Sequence, residues 1–439
     1  MERVFKLVIV FLLFPTLLYA GGLVVAENSY FKVNFEGQVR TRYELKGDYY
    51  AHQGSNLQQG MQKDTQDYFL IRTRLGLDIQ GQDWGIYLMG QQAEDINGRE
   101  LDLGMNPTSQ DFDMDIQQLY FYLNKPGNSP ISIWFGCKEV RYDREALIGT
   151  SVGWGNYVRS YDGGMVSLDL PELKLDCFYL QNRHFDKENF DNWFDSPHFY
   201  GYWFTYKNFP QAKIDQYFLV NDKKGNDDVS YTLGLRLYKK KTPPFDFDIS
   251  FVYQWGTFVG AQKLDRRAYA VHAEAGYKFI KTLKQRIGIE YNYASGDDDP
   301  NDDDYGTFDK LYGCDHGKYG LMDFFTWKNM HEIQLNHTLF LKKGMKFKTM
   351  LHAFWLDTTK DAWYDFTGKA VRQAASGQDV DSYVGTELDF LFSYKMGQHW
   401  HLNVFYGHFF AGSYVEDTAA TSDAKDDADY AYLELRFNW

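Results

Sequence analysis

The chain holds three cysteines, Cys137, Cys177 and Cys314, an odd number that excludes a full disulfide framework. It lacks a basic excess: 46 Lys and Arg face 60 Asp and Glu, for a net charge of -14. The positive footprint of a nucleic-acid-binding protein is therefore missing. Long apolar runs are absent beyond the first residues. The one run, Leu7 to Leu18, is shorter than the roughly 20 residues a membrane-spanning helix needs. With Arg3 and Lys6 before it and Ala20, Gly21, Gly22 and Ala26 after it, it reads as a secretory signal peptide within residues 1–26, cleaved after Ala20 or Ala26. No cysteine follows the run, which argues against a lipid anchor. Gly149-Thr-Ser151-Val-Gly153 has the Gly-x-Ser-x-Gly spacing but falls in the long 139–161 gap and not at the strand-to-helix turn of a nucleophile elbow, and the paired carboxylates lie on strands with no convergent base, so an outer-membrane lipase or protease is not expected. The histidines show no metal-ligand spacing; His331 and His337 share a strand but sit too far apart for one tetrahedral site. No linker or low-complexity tract divides residues 27–439, which are expected to form a single domain.

What is present is aromatic. Phe, Trp and Tyr make up 18% of residues while mean hydropathy is -0.51, roughly twice the aromatic share of an ordinary domain. The last eleven residues show why the two coexist. Ala431, Leu433, Leu435, Phe437 and Trp439 alternate with Tyr430, Tyr432, Glu434, Arg436 and Asn438, the period of two of a strand with one apolar face. The same alternation sets Val39, Thr41 and Tyr43 against Gln38, Arg40 and Arg42, and Phe245, Phe247, Ile249 and Phe251 against Asp246, Asp248 and Ser250. In a soluble protein such strands would leave sticky edges. In a transmembrane barrel the apolar face meets lipid, the polar face lines the lumen, and closure removes the edge.

Loop lengths support this reading. About eighteen strand-like segments run from 30–45 to 429–438, an even number within the range of bacterial barrels. After the second, fourth, sixth, eighth, tenth and fourteenth come short Gly- or Pro-bearing turns, such as Gly81, Pro126-Gly127 and Lys342-Lys343-Gly344. The intervening gaps, among them 46–66, 139–161, 295–328 and 357–379, are mostly long and polar. Short periplasmic turns alternating with long extracellular loops define an outer-membrane barrel with both termini in the periplasm. A soluble sandwich has no reason to sort its loops by parity. The expected fold is thus all-β, a transmembrane antiparallel β-barrel of about eighteen strands in the bacterial outer membrane, with a lumen too wide for wall side chains to fill.

Two stretches carry a family likeness. The first runs Ile131-Ser-Ile-Trp-Phe-Gly-Cys-Lys138 through Arg144 to Trp154, Asn156, Arg159, Asp162 and Gly163. The second holds Ala294-Ser295-Gly296-Asp297, then Phe308, Tyr312, His316, Tyr319-Gly320 and Asp323. Both resemble segments of alginate-export-type outer-membrane proteins. The resemblance implies an eighteen-stranded channel for an anionic polysaccharide with arginines lining the pore, and allows for a periplasmic export partner. The family's Gly-Arg-Gln is here Gly136-Cys137-Lys138, which moves the basic group to the opposite face of its strand.

A polyuronate carries one carboxylate per sugar, so its conduit needs fixed positive charge that releases as readily as it binds. Arginine suits carboxylate through its planar fork. The candidates for the substrate path are Arg40, Arg42, Arg72, Arg74, Lys138, Arg159, Arg236, Lys278, Arg286, Lys346, Lys348 and Arg436. The same faces carry Glu44, Asp78, Asp246, Asp248, Glu274, Glu290, Glu332, Glu387, Asp389 and Glu434, and mixed charges can simply pair and brace the wall. Inward Tyr120, Tyr122 and Trp134 could stack sugar faces, though aromatics more often form interfacial girdles. Asp297, Asp299, Asp302 and Asp304 offer hard oxygen ligands for a structural Ca2+. They lack EF-hand spacing, and a solvated charge run is the plainer reading; no other cofactor is expected. The alternative to a polysaccharide channel is a general or small-solute porin with a mixed-charge lumen.

Overall fold

The computed structural model describes residues 23–28, 30–50, 65–96, 112–183, 196–223, 225, 227–239, 244–280, 284–375, 379–419 and 426–439; most of the expected signal peptide lies outside them. Alternating faces dictate eighteen barrel strands: β1 (Lys32–Gly47), β2 (Gln66–Gln80), β3 (Trp84–Asp95), β4 (Phe112–Asn124), β5 (Ile131–Lys138), β6 (Tyr161–Asp169), β7 (Leu173–Asn182), β8 (His198–Tyr206), β9 (Lys213–Lys223), β10 (Asp228–Lys239), β11 (Phe245–Val259), β12 (Lys263–Phe279), β13 (Gln285–Ala294), β14 (Met330–Lys342), β15 (Met345–Trp355), β16 (Tyr383–Met396), β17 (Trp400–Ala411) and β18 (Ala428–Asn438). Each pairs antiparallel with its neighbour in sequence, and β18 pairs with β1 from Gln38↔Asn438 to Gly47↔Asp429. The sheet is closed, so no edge is left to template aggregation.

The two faces are sorted as a bilayer requires. Phe135, Leu235, Phe251, Ile287, Ile289, Leu335 and Leu433 are exposed outward, whereas Arg40, Arg42, Arg72, Glu332, Glu387 and Asp389 are buried inward. Exposed apolar side chains around a polar interior invert the plan of a soluble barrel and present a hydrocarbon-facing belt. At the periplasmic end of the seam the Trp439 and Gly37 backbones exchange hydrogen bonds of 3.1 and 3.2 Å. The indole lies over Gly37, near Phe35 and Phe437.

The lumen is not simply a water-filled tube, and this corrects the expectation from strand number. Side chains of the wall alone do not fill it, but long loops fold into it and narrow it. Residues 139–160 and 295–329 contribute Leu147, Ile148, Phe308, Tyr319, Met322, Phe324, Phe325 and Trp327 to a buried core. A short hairpin (Trp363–Tyr364 with Ala370–Arg372) and one helical turn, α1 (Ser413–Asp417), pack nearby, with Arg372 donating to the Val415 carbonyl at 2.6 Å. Of the cysteines, Cys177 is exposed on the outer face, whereas Cys137 is buried, 3.4 Å from the Arg183 guanidinium.

Candidate functional site

Four of the arginines singled out in the sequence, Arg40, Arg42, Arg72 and Arg436, converge on one inward loop. On β1, Arg40 donates to the carbonyls of Trp154 and Gly155 at 2.8 and 2.9 Å and to Asn156 Oδ1 at 3.1 Å. Two residues on, Arg42 donates to the Trp154 carbonyl at 2.7 Å and to Glu44 at 2.6 Å, with its guanidinium 3.6 Å above the Trp154 ring. Across the pair on β2, Arg72 donates to the carbonyls of Gly155 and Val152 at 2.6 and 2.9 Å. From β18, Arg436 reaches the Gly153 carbonyl at 3.2 Å. Four consecutive carbonyls, 152 to 155, thus face four guanidinium groups. The pleat explains the convergence: residues two apart on neighbouring strands point the same way and form a tight positive patch. Arg74 is bound by Glu139, at the root of the same loop.

The two inward loops are locked to each other. Ile148 bridges Tyr312, the Gly149 N–H donates to the Tyr312 carbonyl while the Tyr312 N–H donates to the Leu147 carbonyl, and Arg159 donates to the Tyr312 carbonyl at 2.5 Å. Trp154 stacks flat on His316, ring centroids 3.5 Å apart, and His316 in turn contacts Asp323 at 2.8 Å. The family-motif residues Trp154, Asn156 and Arg159 therefore work at this junction. Asp162 and Gly163 lie on β6, and Ser295 ends β13, where its hydroxyl ties Tyr269 to Gly306.

Opposite the arginine patch the wall is acidic, and its cations are paired. Arg236 forms a fork on Asp248 at 2.8 and 2.5 Å and reaches Asp143 and Asp215. Arg286 bridges Asp246 and Glu274. A residue the lumen reading missed is Arg144. It extends from the 139–160 loop to within 3.7–4.0 Å of Asp248, Glu274 and Glu290, partly exposed to the passage. Sequence could not assign it, because only the inward fold of its loop brings it to that wall. Buried Arg266 on β12, also missed, faces Asp228 at 3.8 Å.

The remaining candidates lie apart from this junction. Lys138 sits over Tyr120 and Trp134, which line the inner wall with Tyr122 and Tyr87. Lys278 lies over Phe340. Lys346 helps line a periplasmic-side recess of about 450 Å³ with Lys342, Lys395 and His401, and Lys348 follows it on β15. The aspartates proposed for calcium do not converge. Asp299 and Asp302 accept the backbone N–H groups of Asn301 and Asp304 two residues on, and the backbone N–H of Asp297 binds Asp361 at 3.1 Å. Burial, reinforced by the Asp361 carboxylate, pushes the Asp297 carboxyl up to about 6.

A closed antiparallel barrel with a lipid-facing exterior, a charged lumen and loops folded into it is the architecture of an outer-membrane porin-type protein. More particularly, the family model described as alginate export matches residues 31–428, and the chain belongs to that porin-like outer-membrane family. No curated protein matches the sequence significantly. Among solved structures, OccAB2 of Acinetobacter baumannii is similar with a TM-score of 0.62 at 13% identity, over 94% of this chain and 99% of that one. OpdO of Pseudomonas aeruginosa gives 0.59 at 12% over 93% and 97%. OccK11 (OpdR) of the same species gives 0.57 at 13% over 92% and 95%. At such identities these likenesses establish the barrel fold.

Proposed function

We propose that the protein is a passive channel for small water-soluble solutes, which pass a mixed-charge constriction built by the two inward loops. The observation that carries this reading is the occupation of Arg40, Arg42 and Arg72 by the carbonyls of residues 152–155. A polyuronate needs accessible cations along its path, and here the densest cationic patch is already satisfied by the protein's own backbone. Arg144, poised between acidic groups and partly exposed, is the cation best placed to meet a passing solute. Swelling of proteoliposomes in neutral sugars of increasing size tests the reading: permeation with a sharp size limit, and no block by polyuronate, is the expected outcome.

An acidic-polysaccharide channel, fed by a periplasmic partner, is the second reading. Membership of the alginate export family favours it, as does the basic recess at Lys342, Lys346 and Lys395 on the periplasmic side. Block of planar-bilayer currents by polyuronate at low concentration, together with anion selectivity, would move the conclusion there.

A further inference from the structure

Beneath the 295–329 loop, a group of buried side chains on β14, β15 and β16 has no role in the constriction. His352 pairs across the sheet with Glu387 on one side and Gln334 on the other. Its Nδ1 is 2.6 Å from Glu332, whose other oxygen accepts from Asn292 at 2.6 Å. Its Nε2 faces Asp389 at 3.5 Å. One ligand atom each from His352, Glu387 and Asp389 lies within 4.8 Å of the others. All three residues are essentially inaccessible to solvent.

Two features point to a ligand. The first is that Glu387 Oε2 and Asp389 Oδ1 are buried without a hydrogen-bond partner, while their other oxygens accept the Leu321 N–H at 2.7 and 3.0 Å. The second is charge. Three carboxylates surround one imidazole, and among the described residues no lysine or arginine forms an ion pair with any of them. A protonated His352 would offset one of the three, and burying the remaining carboxylates without a counter-charge costs several kcal/mol per ion. The donor set is also ordered as a metal site is. Glu332 holds Nδ1 and thereby frees Nε2 as a ligand, the carboxylate–histidine–metal relay that fixes tautomer and raises ligand basicity. Imidazole with two carboxylates suits a first-row divalent cation of the zinc class better than calcium, which takes oxygen alone.

We propose that His352 Nε2, Glu387 and Asp389 bind one such divalent cation, with Glu332 as its positioning residue, and that the ion fastens the 320–322 segment to the wall. Glu387 and Asp389 accept the N–H groups of Leu321 and Met322, so charge balance at the site and seating of the loop are linked. Gly320, at φ +83, presses on the Glu387 carboxylate, where a Cβ would lie 2.5 Å from its oxygens.

The test uses the full barrel, purified in detergent with no histidine tag, stripped with a chelator and titrated with Co2+ and then Zn2+. Expected are about one Co2+ per chain by elemental analysis, visible d–d bands, displacement by Zn2+, and a melting temperature that rises on loading. His352→Ala should abolish binding, and Glu332→Gln should keep the site but weaken it ~10–100-fold. Glu332→Gln retains all three ligands, so it decides the matter if the alanine variant fails to fold. Lack of stoichiometric Co2+ or Zn2+ on folded wild type overturns the proposal, as does binding at full affinity in both variants.

Discussion

In the patch on β1 and β2, Arg40 and Arg72 work chiefly against loop carbonyls. Arg40 and Arg72 are fully buried, and each donates to loop carbonyls from a charged group, a hydrogen bond worth ~1.5–3 kcal/mol. Replacing both by alanine is expected to unseat residues 152–155 and raise single-channel conductance, read in planar bilayers; unchanged conductance would count against a loop-limited passage. At Asp297 the sign of the pH effect follows from its raised value of about 6 against an ordinary 3.8. Between those values the folded loop holds a proton that the unfolded loop releases, so stability falls as pH rises through about 6. Asp297→Asn should remove that dependence. Hydrogen exchange of the 296–308 segment, corrected for intrinsic rates, provides the check. The aspartate run was visible in the sequence, but its meaning was not: local turn bonds and the distant Asp361 set what these carboxylates do.

Elements are governed by closure. The terminal strand pairs with β1 along ten residues, and at its periplasmic end the Trp439 ring lies over Gly37, where a Cβ would fall 2.1 Å from the indole. Gly37→Val should therefore slow or prevent closure of the seam, read as loss of the heat-modifiable band on gels and as protease sensitivity. The inward loops differ from the strands in legibility. Alternation and loop parity mark all eighteen strands, because each face of a strand answers to one solvent. Residues 139–160 carry no such pattern. Their apolar Leu147 and Ile148 bury themselves in the core shared with the second loop, and nothing local announces that partner.

At the scale of the whole molecule the bilayer is the dominant partner. Leu235 lies on β10 with its side chain exposed outward, so Leu235→Arg should destabilise the inserted barrel by about 2–4 kcal/mol if its depth is near the midplane. Guanidine titration of folding into vesicles measures it, and an effect near zero would place that position at the interface. The lumen divides likewise into a positive patch on β1, β2 and β18 and an acidic wall on β9 to β13, with Arg236 and Arg286 braced on the latter. Those two belong to the wall, as the alternative of mutual pairing expected.

By itself the sequence determined the barrel, its strand number, its outward face and its orientation. Each of these follows from which solvent, lipid or water, a residue meets, and that preference is written locally in a period of two. Tertiary structure alone decided which partners the arginines take, that two loops stack through Trp154 and His316, and that His352 meets Glu387 and Asp389. Those contacts join residues up to more than a hundred positions apart, and their chemistry depends on distance in space, which spacing along the chain does not encode.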